Sequence, residues 1–103
     1  SVLAEAVRLF QTEEYPANHF VVREGELGAC LYIIVRGSVE VTSAHTHGRE
    51  LRFVLQEGDC FGERALLAAM PETENVRTLS PCVFLTLTRA GFDYLTGQKM
   101  ALG

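Results

Sequence analysis

Along the first ten residues the apolar positions Val2, Leu3, Ala6, Val7 and Phe10 recur near helical spacing, which predicts a short amphipathic helix over residues 2–10. The period then changes. Tyr15-Pro16-Ala17-Asn18 has the composition of a turn, and HFVVREG after it reads as a short strand ended by Gly25. Gly28 closes a loop before ACLYIIVRG, where Leu31, Ile33 and Val35 share one face of a strand and Tyr32, Ile34 and Arg36 the other. Gly37 leads into SVEVT, whose Val39 and Val41 alternate with Ser38 and Glu40, and the two strands are expected to form a hairpin.

SAHTHGRE is polar throughout and is expected to be an exposed loop; LRFVL is then a strand and Gln56-Glu57-Gly58-Asp59 a turn. GERALLAAM is rich in strong helix formers and is stopped by Pro71. Beyond it VRTLSPCVFLTLT supplies one or two strands, and Arg89 to Leu95 starts a C-terminal helix that the end of the chain cuts short. Short alternating strands between glycine turns predict a mainly β fold with flanking helices, an antiparallel jelly roll or small barrel. The short helix embedded among the strands departs from that plan and is the first place to look for function.

At 103 residues, 48% hydrophobic and without a low-complexity run, residues 1–103 fit one domain with a modest core. The longest apolar stretch, Cys30 to Val35, is far shorter than the roughly 20 residues that span a bilayer, and the N-terminus lacks a signal-peptide pattern. A soluble, cytoplasmic domain without membrane insertion is expected. Cys30, Cys60 and Cys82 are odd in number, lack paired spacing and sit in apolar runs, so buried reduced thiols are expected rather than disulfides or metal ligands. A net charge of -4, with one lysine and eight scattered arginines, argues against nucleic acid as a partner.

Three constellations could carry chemistry. His45, His47 and Glu50 resemble a cupin metal motif, but only two residues separate His47 from Glu50, and the only other histidine, His19, lies upstream; a polar hairpin tip is the expected reading. Ser38, Ser43 and Ser80 lack a nucleophile-elbow context, so an enzyme is not expected. The third runs from Gly58 to Leu67, GDCFGERALL. Here a glycine turn opens a helix, and amides near Ala65 and Leu66 would point outward at the positive end of the helix dipole as an anion seat. Glu63 at the rim suits a sugar hydroxyl. Taken alone, the segment is equally an ordinary capped helix.

EGELGACLYIIVRGSVEV (residues 24–41) followed by EGDCFGERALL (residues 57–67) resembles the cyclic nucleotide-binding domain family, without a gap from about Val22 to Leu95. Gly25, Gly28, Gly37, Gly58, Phe61-Gly62-Glu63 and Ala65-Leu66 carry the resemblance. Among its members, GDCFGERALL and TRAGFDYLTG are most similar to cGMP-dependent protein kinases, the protozoan kind included. The resemblance implies a jelly roll with a phosphate-binding cassette, an N-terminal helical segment and C-terminal helices acting as lid and relay. It also implies a regulatory rather than catalytic domain, with other regulatory and kinase domains of the same polypeptide as partners.

The same resemblance places the ligand site on Gly62, Glu63, Arg64, Ala65 and Leu66, with Glu63 accepting from the ribose 2'-hydroxyl and the amides of Ala65 and Leu66 facing the cyclic phosphate. The arginine that pairs with that phosphate falls on Glu72, and its neighbour on Thr73. The strand arginine that some members use to read guanine falls on Phe53, with Arg52 one position off. A five-residue insertion would put Arg77 in the cassette, but the ungapped register aligns Val76, Arg89 and Phe92 and keeps the strand periodicity.

Loss of the cation from a desolvated pair costs on the order of 2–5 kcal/mol. An anion about 5 Å from the phosphate adds roughly 3 kcal/mol of repulsion at an effective dielectric near 20. At about 1.4 kcal/mol per tenfold, cyclic nucleotide affinity falls by roughly 10³ or more. Three readings follow. In the first, the site is degenerate and the domain is a packed relay in kinase regulation, with no cofactor. In the second, Glu63 and Glu72 hold a neutral nucleoside, Glu72 accepting from its 5'-hydroxyl. In the third, Arg77, Arg64 or an arginine of another domain completes a working cGMP or cAMP site. A cupin-like metalloprotein is a distant fourth.

Overall fold

A computed structural model describes residues 2–43 and 50–102 of the chain. Their order is α1 (Val2–Leu9), β1 (Phe10–Tyr15), β2 (Phe20–Val22), β3 (Cys30–Arg36), β4 (Val39–Ser43), β5 (Leu51–Leu55), β6 (Cys60–Phe61), α2 (Glu63–Ala68), β7 (Asn75–Thr78), β8 (Cys82–Thr88) and α3 (Arg89–Leu102). The strands form two four-stranded antiparallel sheets, ordered β1-β8-β3-β6 and β2-β7-β4-β5. This is the jelly-roll arrangement that the pattern predicted.

Period-two alternation turns one side of each strand inward. Val39 and Val41 of β4, Val76 and Thr78 of β7, and Cys82, Phe84 and Thr86 of β8 are buried, and Ile34 of β3 joins them. Phe84 is the hub of an aromatic cluster: its ring centroid lies 5.4 Å from Phe61, 5.8 Å from Tyr32 and 5.4 Å from Tyr15. Thr78, fully buried, escapes the cost of an unpaired hydroxyl by donating to the Pro16 carbonyl at 2.7 Å and accepting from the His19 amide at 2.8 Å.

Three expectations need correction. β3 and β4 do not pair: they belong to different sheets, and Gly37 (φ +96°) carries the chain from one to the other. A Cβ there would lie 2.5 Å from the Pro81 carbonyl oxygen and 2.7 Å from Cys82 Sγ, so the crossing point admits only glycine. Helix α1 ends at Leu9, and Phe10 opens β1, an edge strand whose polar sequence FQTEEY hides it from an alternation test. β1 nevertheless pairs with β8 along its whole length, from Phe10 opposite Leu87 to Tyr15 opposite Cys82. Of the three cysteines only Cys82 is buried; Cys30 is half-buried, at the very start of β3, and Cys60 is exposed, on the side of β6 opposite the buried Phe61. The C-terminal helix starts at Arg89 as the pattern indicates, and α3 runs 14 residues to Leu102. Among the described residues no helix is long and apolar enough to cross a membrane.

Candidate functional site

The site begins at the turn between β5 and β6. The Gln56 amide donates to the Asp59 carboxylate at 2.8 Å, Gly58 supplies φ +93°, and reciprocal bonds of 2.9 Å between Gly58 or Asp59 and Ile34 fasten the turn to β3. Phe61 then plunges into the core, stacked on Tyr32 with centroids 4.8 Å apart. Gly62 takes φ +86° at a point where a Cβ would lie 2.5 Å from the Cys30 carbonyl oxygen. Only glycine can turn the chain there, and it turns straight into α2.

Ala65 and Leu66 anchor α2 inward. The Leu66 amide donates to the Gly62 carbonyl at 3.1 Å, so it closes the first helical turn instead of facing a ligand as expected. The amides of Glu63, Arg64 and Ala65 are those without an intrahelical partner. At the other end of α2 the Arg89 guanidinium donates to the Leu66 carbonyl, while Arg89 Nε reaches Asp93 at 3.3 Å and its amide reaches the Ala29 carbonyl at 3.1 Å.

After α2, Ala69 in the left-handed region (φ 53°) ends the helix and releases the chain toward Glu72. Residue 72 is held by its main chain: its amide donates to the Glu26 carbonyl at 2.7 Å and its carbonyl accepts from the Gly25 amide at 2.8 Å, with Leu27 bridged to Pro71 beside it. Its side chain lies against Gly28 and Ala65, since a Cβ on Gly28 would come within 2.8 Å of Glu72 Oε1.

These segments line a cavity of about 250 Å³, just below the usual range of about 300–1,000 Å³ for ligand pockets. Val41, Phe53, Leu55 and Met70 make an apolar wall; Gly62, Glu63, Arg64, Ala65, Glu72, Thr73 and Glu74 make a polar one. Six of the seven residues singled out in the sequence thus come together, and Leu66 is the exception, buried behind them. Val41, Leu55, Met70 and Glu74 were missed. The signal for two of them was present, for Leu55 lies two residues after Phe53 on one strand face and Val41 stands opposite Phe53 in the β4–β5 ladder.

The polar wall is negative. The Glu72 carboxyl is pushed above its ordinary value, first by burial and then by Glu74, Glu63 and Glu26. No ion pair to Glu63, Glu72 or Glu74 forms among the described residues. Arg77 is not a substitute: between the buried Val76 and Thr78 it points to the opposite face, where it donates to Asn18 at 2.8 Å and pairs with Glu40 at 3.1 Å. Arg52 likewise faces outward, on Glu50 at 2.7 Å and Glu40 at 3.5 Å, while Phe53 faces the cavity. Arg64 is the one arginine among the described residues that lines it. His45 and His47 of the metal reading lie outside the described residues, and Glu50 is engaged by Arg52.

Comparison with known proteins agrees with this geometry. The family model described as the cyclic nucleotide-binding domain matches residues 12–99. The chain is 36% identical to the cGMP-dependent protein kinase egl-4 of Caenorhabditis elegans over 97% of its own length, and spans 13% of that kinase. The regulatory domain of Toxoplasma gondii PKA, crystallised with cAMP, superposes with a TM-score of 0.83 at 30% identity, over 98% of this chain and 40% of that one. The regulatory subunit of a cAMP-independent protein kinase A from Trypanosoma cruzi, bound to guanosine, gives a TM-score of 0.78 at 27% identity, over 86% of this chain and 32% of that one. Its Trypanosoma brucei namesake, solved as a mutant with one glutamate changed to alanine, one threonine to arginine and one valine to alanine, is bound to cAMP in its A site; its TM-score is 0.77 at 27% identity, over 91% and 35% of the two chains. With its jelly roll, its glycine-turned cassette and these likenesses, the chain belongs to the cyclic nucleotide-binding domain family.

Proposed function

We propose that this domain is a regulatory module of a protein kinase of the cGMP- or cAMP-dependent type, and that its pocket takes a neutral purine nucleoside in place of a cyclic nucleotide. The observation that carries the reading is the Glu72 side chain. It lines an open cavity, together with Glu63 and Glu74 and with no paired cation, at the position where the family resemblance puts the phosphate-binding arginine. Carboxylates repel a cyclic phosphate and accept hydrogen bonds from hydroxyls, which a nucleoside supplies on its ribose. Glu63 takes a ribose hydroxyl, Glu72 the 5'-hydroxyl, and the free amides at the start of α2 the remaining sugar oxygens. The guanosine-bound relative supports this choice of ligand, and the mutant that gains an arginine, loses a glutamate and holds cAMP supports the link between charge and ligand class.

One observation favours a second reading. Arg89, the first residue of α3, binds the Leu66 carbonyl of α2 directly, the kind of link that a packed relay would use. In either case the partners are other regulatory and kinase domains of a longer polypeptide.

Calorimetry at neutral pH with guanosine, inosine, cGMP and cAMP separates these readings. The nucleosides are expected to bind, with the cyclic nucleotides weaker by roughly 10³. Failure of both nucleosides leaves the relay, and micromolar cGMP binding sinks both readings.

A further inference from the structure

We propose that Phe53 is the base platform of the pocket, and that it reads a purine by stacking alone, without reading the hydrogen-bonding edge of the base. The inference rests on the nucleoside reading of the cavity. Phe53 belongs to β5, the edge strand of its sheet, so among the described residues no further strand covers its outer flank. Its ring faces the cavity, 44% exposed, while its cross-strand partner Val41 is 1% exposed. The other aromatic rings near the core, Tyr15, Tyr32, Phe61 and Phe84, contact one another; no ring contact to Phe53 is found among the described residues.

A large apolar ring left open on a cavity wall is a surface waiting for a flat apolar face. The polar wall gathers Arg64, Thr73 and Glu74 beside Glu63 and Glu72, the two carboxylates given to the sugar, and in this proposal the base lies on the apolar wall instead. That wall consists of Val41, Phe53, Leu55 and Met70 and offers no hydroxyl, amide or charge to a base edge. Arg52, one residue before Phe53, is turned away and held by Glu40 and Glu50. Guanine, hypoxanthine and adenine therefore look alike to it, and a pyrimidine, with a smaller face, binds less well.

The test uses the domain with guanosine, inosine, adenosine and uridine. The three purine nucleosides should bind within about fivefold of one another and uridine at least about tenfold more weakly, as stacking area dictates. F53A should weaken each purine nucleoside by about ten- to a hundredfold and close most of the gap to uridine, and F53L, which restores apolar bulk without a π face, should remain weak. F53W should bind like the natural chain; with no other tryptophan present, its emission should be quenched by inosine. If F53A binds inosine as well as the natural chain does, the platform falls and the nucleoside pocket stands. A preference above about thirtyfold for one purine over the others shows that the edge is read and overturns the proposal. If the natural chain binds no nucleoside and F53W emission does not respond, both the platform and the nucleoside reading fall.

Discussion

Gly28 and Glu72 meet so closely that a methyl group on Gly28 would overlap the Ala65 side chain and sit 2.8 Å from the Glu72 carboxylate. The loop before β3 thus forms the back wall against which both α2 and residue 72 are seated. Gly28→Ala should cost about 1–3 kcal/mol through overpacking, a fall of roughly 5–20 °C in thermal midpoint for a domain of this size. An unchanged midpoint would mean that α2 yields freely and that its seat is not rigid.

Glu72→Arg should turn the pocket toward anions. Removing the repulsion and restoring a paired cation predicts roughly 10³-fold tighter binding of cGMP or cAMP. Calorimetry checks it, and a variant no better than the natural chain would show that residue 72 does not face the phosphate.

The raised Glu72 carboxyl gives stability a definite pH dependence. Its folded value lies above its ordinary 4.5, so ionised Glu72 destabilises the fold at neutral pH. That penalty disappears as pH falls through the raised folded value and is gone below the unfolded one. Glu72→Gln should therefore be more stable than the natural chain at about pH 7.5, with the difference shrinking on acidification and vanishing near pH 4 in urea titrations. The opposite slope would refute the assignment.

Arg89 holds α2 by its C-terminal end, where carbonyls lack helical partners and a cation is favoured. Arg89→Ala orphans the Leu66 carbonyl and should cost about 1–2 kcal/mol. Hydrogen exchange should speed up in α2 more than in β4 or β8; uniform acceleration would mean a general loss of stability with no local link between α2 and α3.

Period-two runs such as VEVT and CVFLTLT reveal strands because half of each run is buried, and β4 and β8 lie where the pattern puts them. The same pattern is silent about partners. Gly37 looks like a hairpin glycine, and only its packing on Pro81 and Cys82, distant in sequence, shows that it joins two sheets. β1 escaped notice because an edge strand half-covered by its neighbour can be polar, and β6 because two residues carry no period. In the site, the residues alone showed a glycine turn opening a short helix, and only the family resemblance marked it as a phosphate cassette. Glu74 and Met70 were not legible, because the loop after Ala69 follows no repeat and takes its shape from main-chain bonds to Gly25 and Glu26.

Those main-chain bonds have a further consequence. Because residue 72 is gripped by its backbone, and its side chain makes no hydrogen bond or ion pair among the described residues, the path of the loop does not depend on which side chain stands there, even though stability does. Domains built this way can exchange the sign of the charge they present, and with it the chemical message they answer to, while every strand and turn stays where it was.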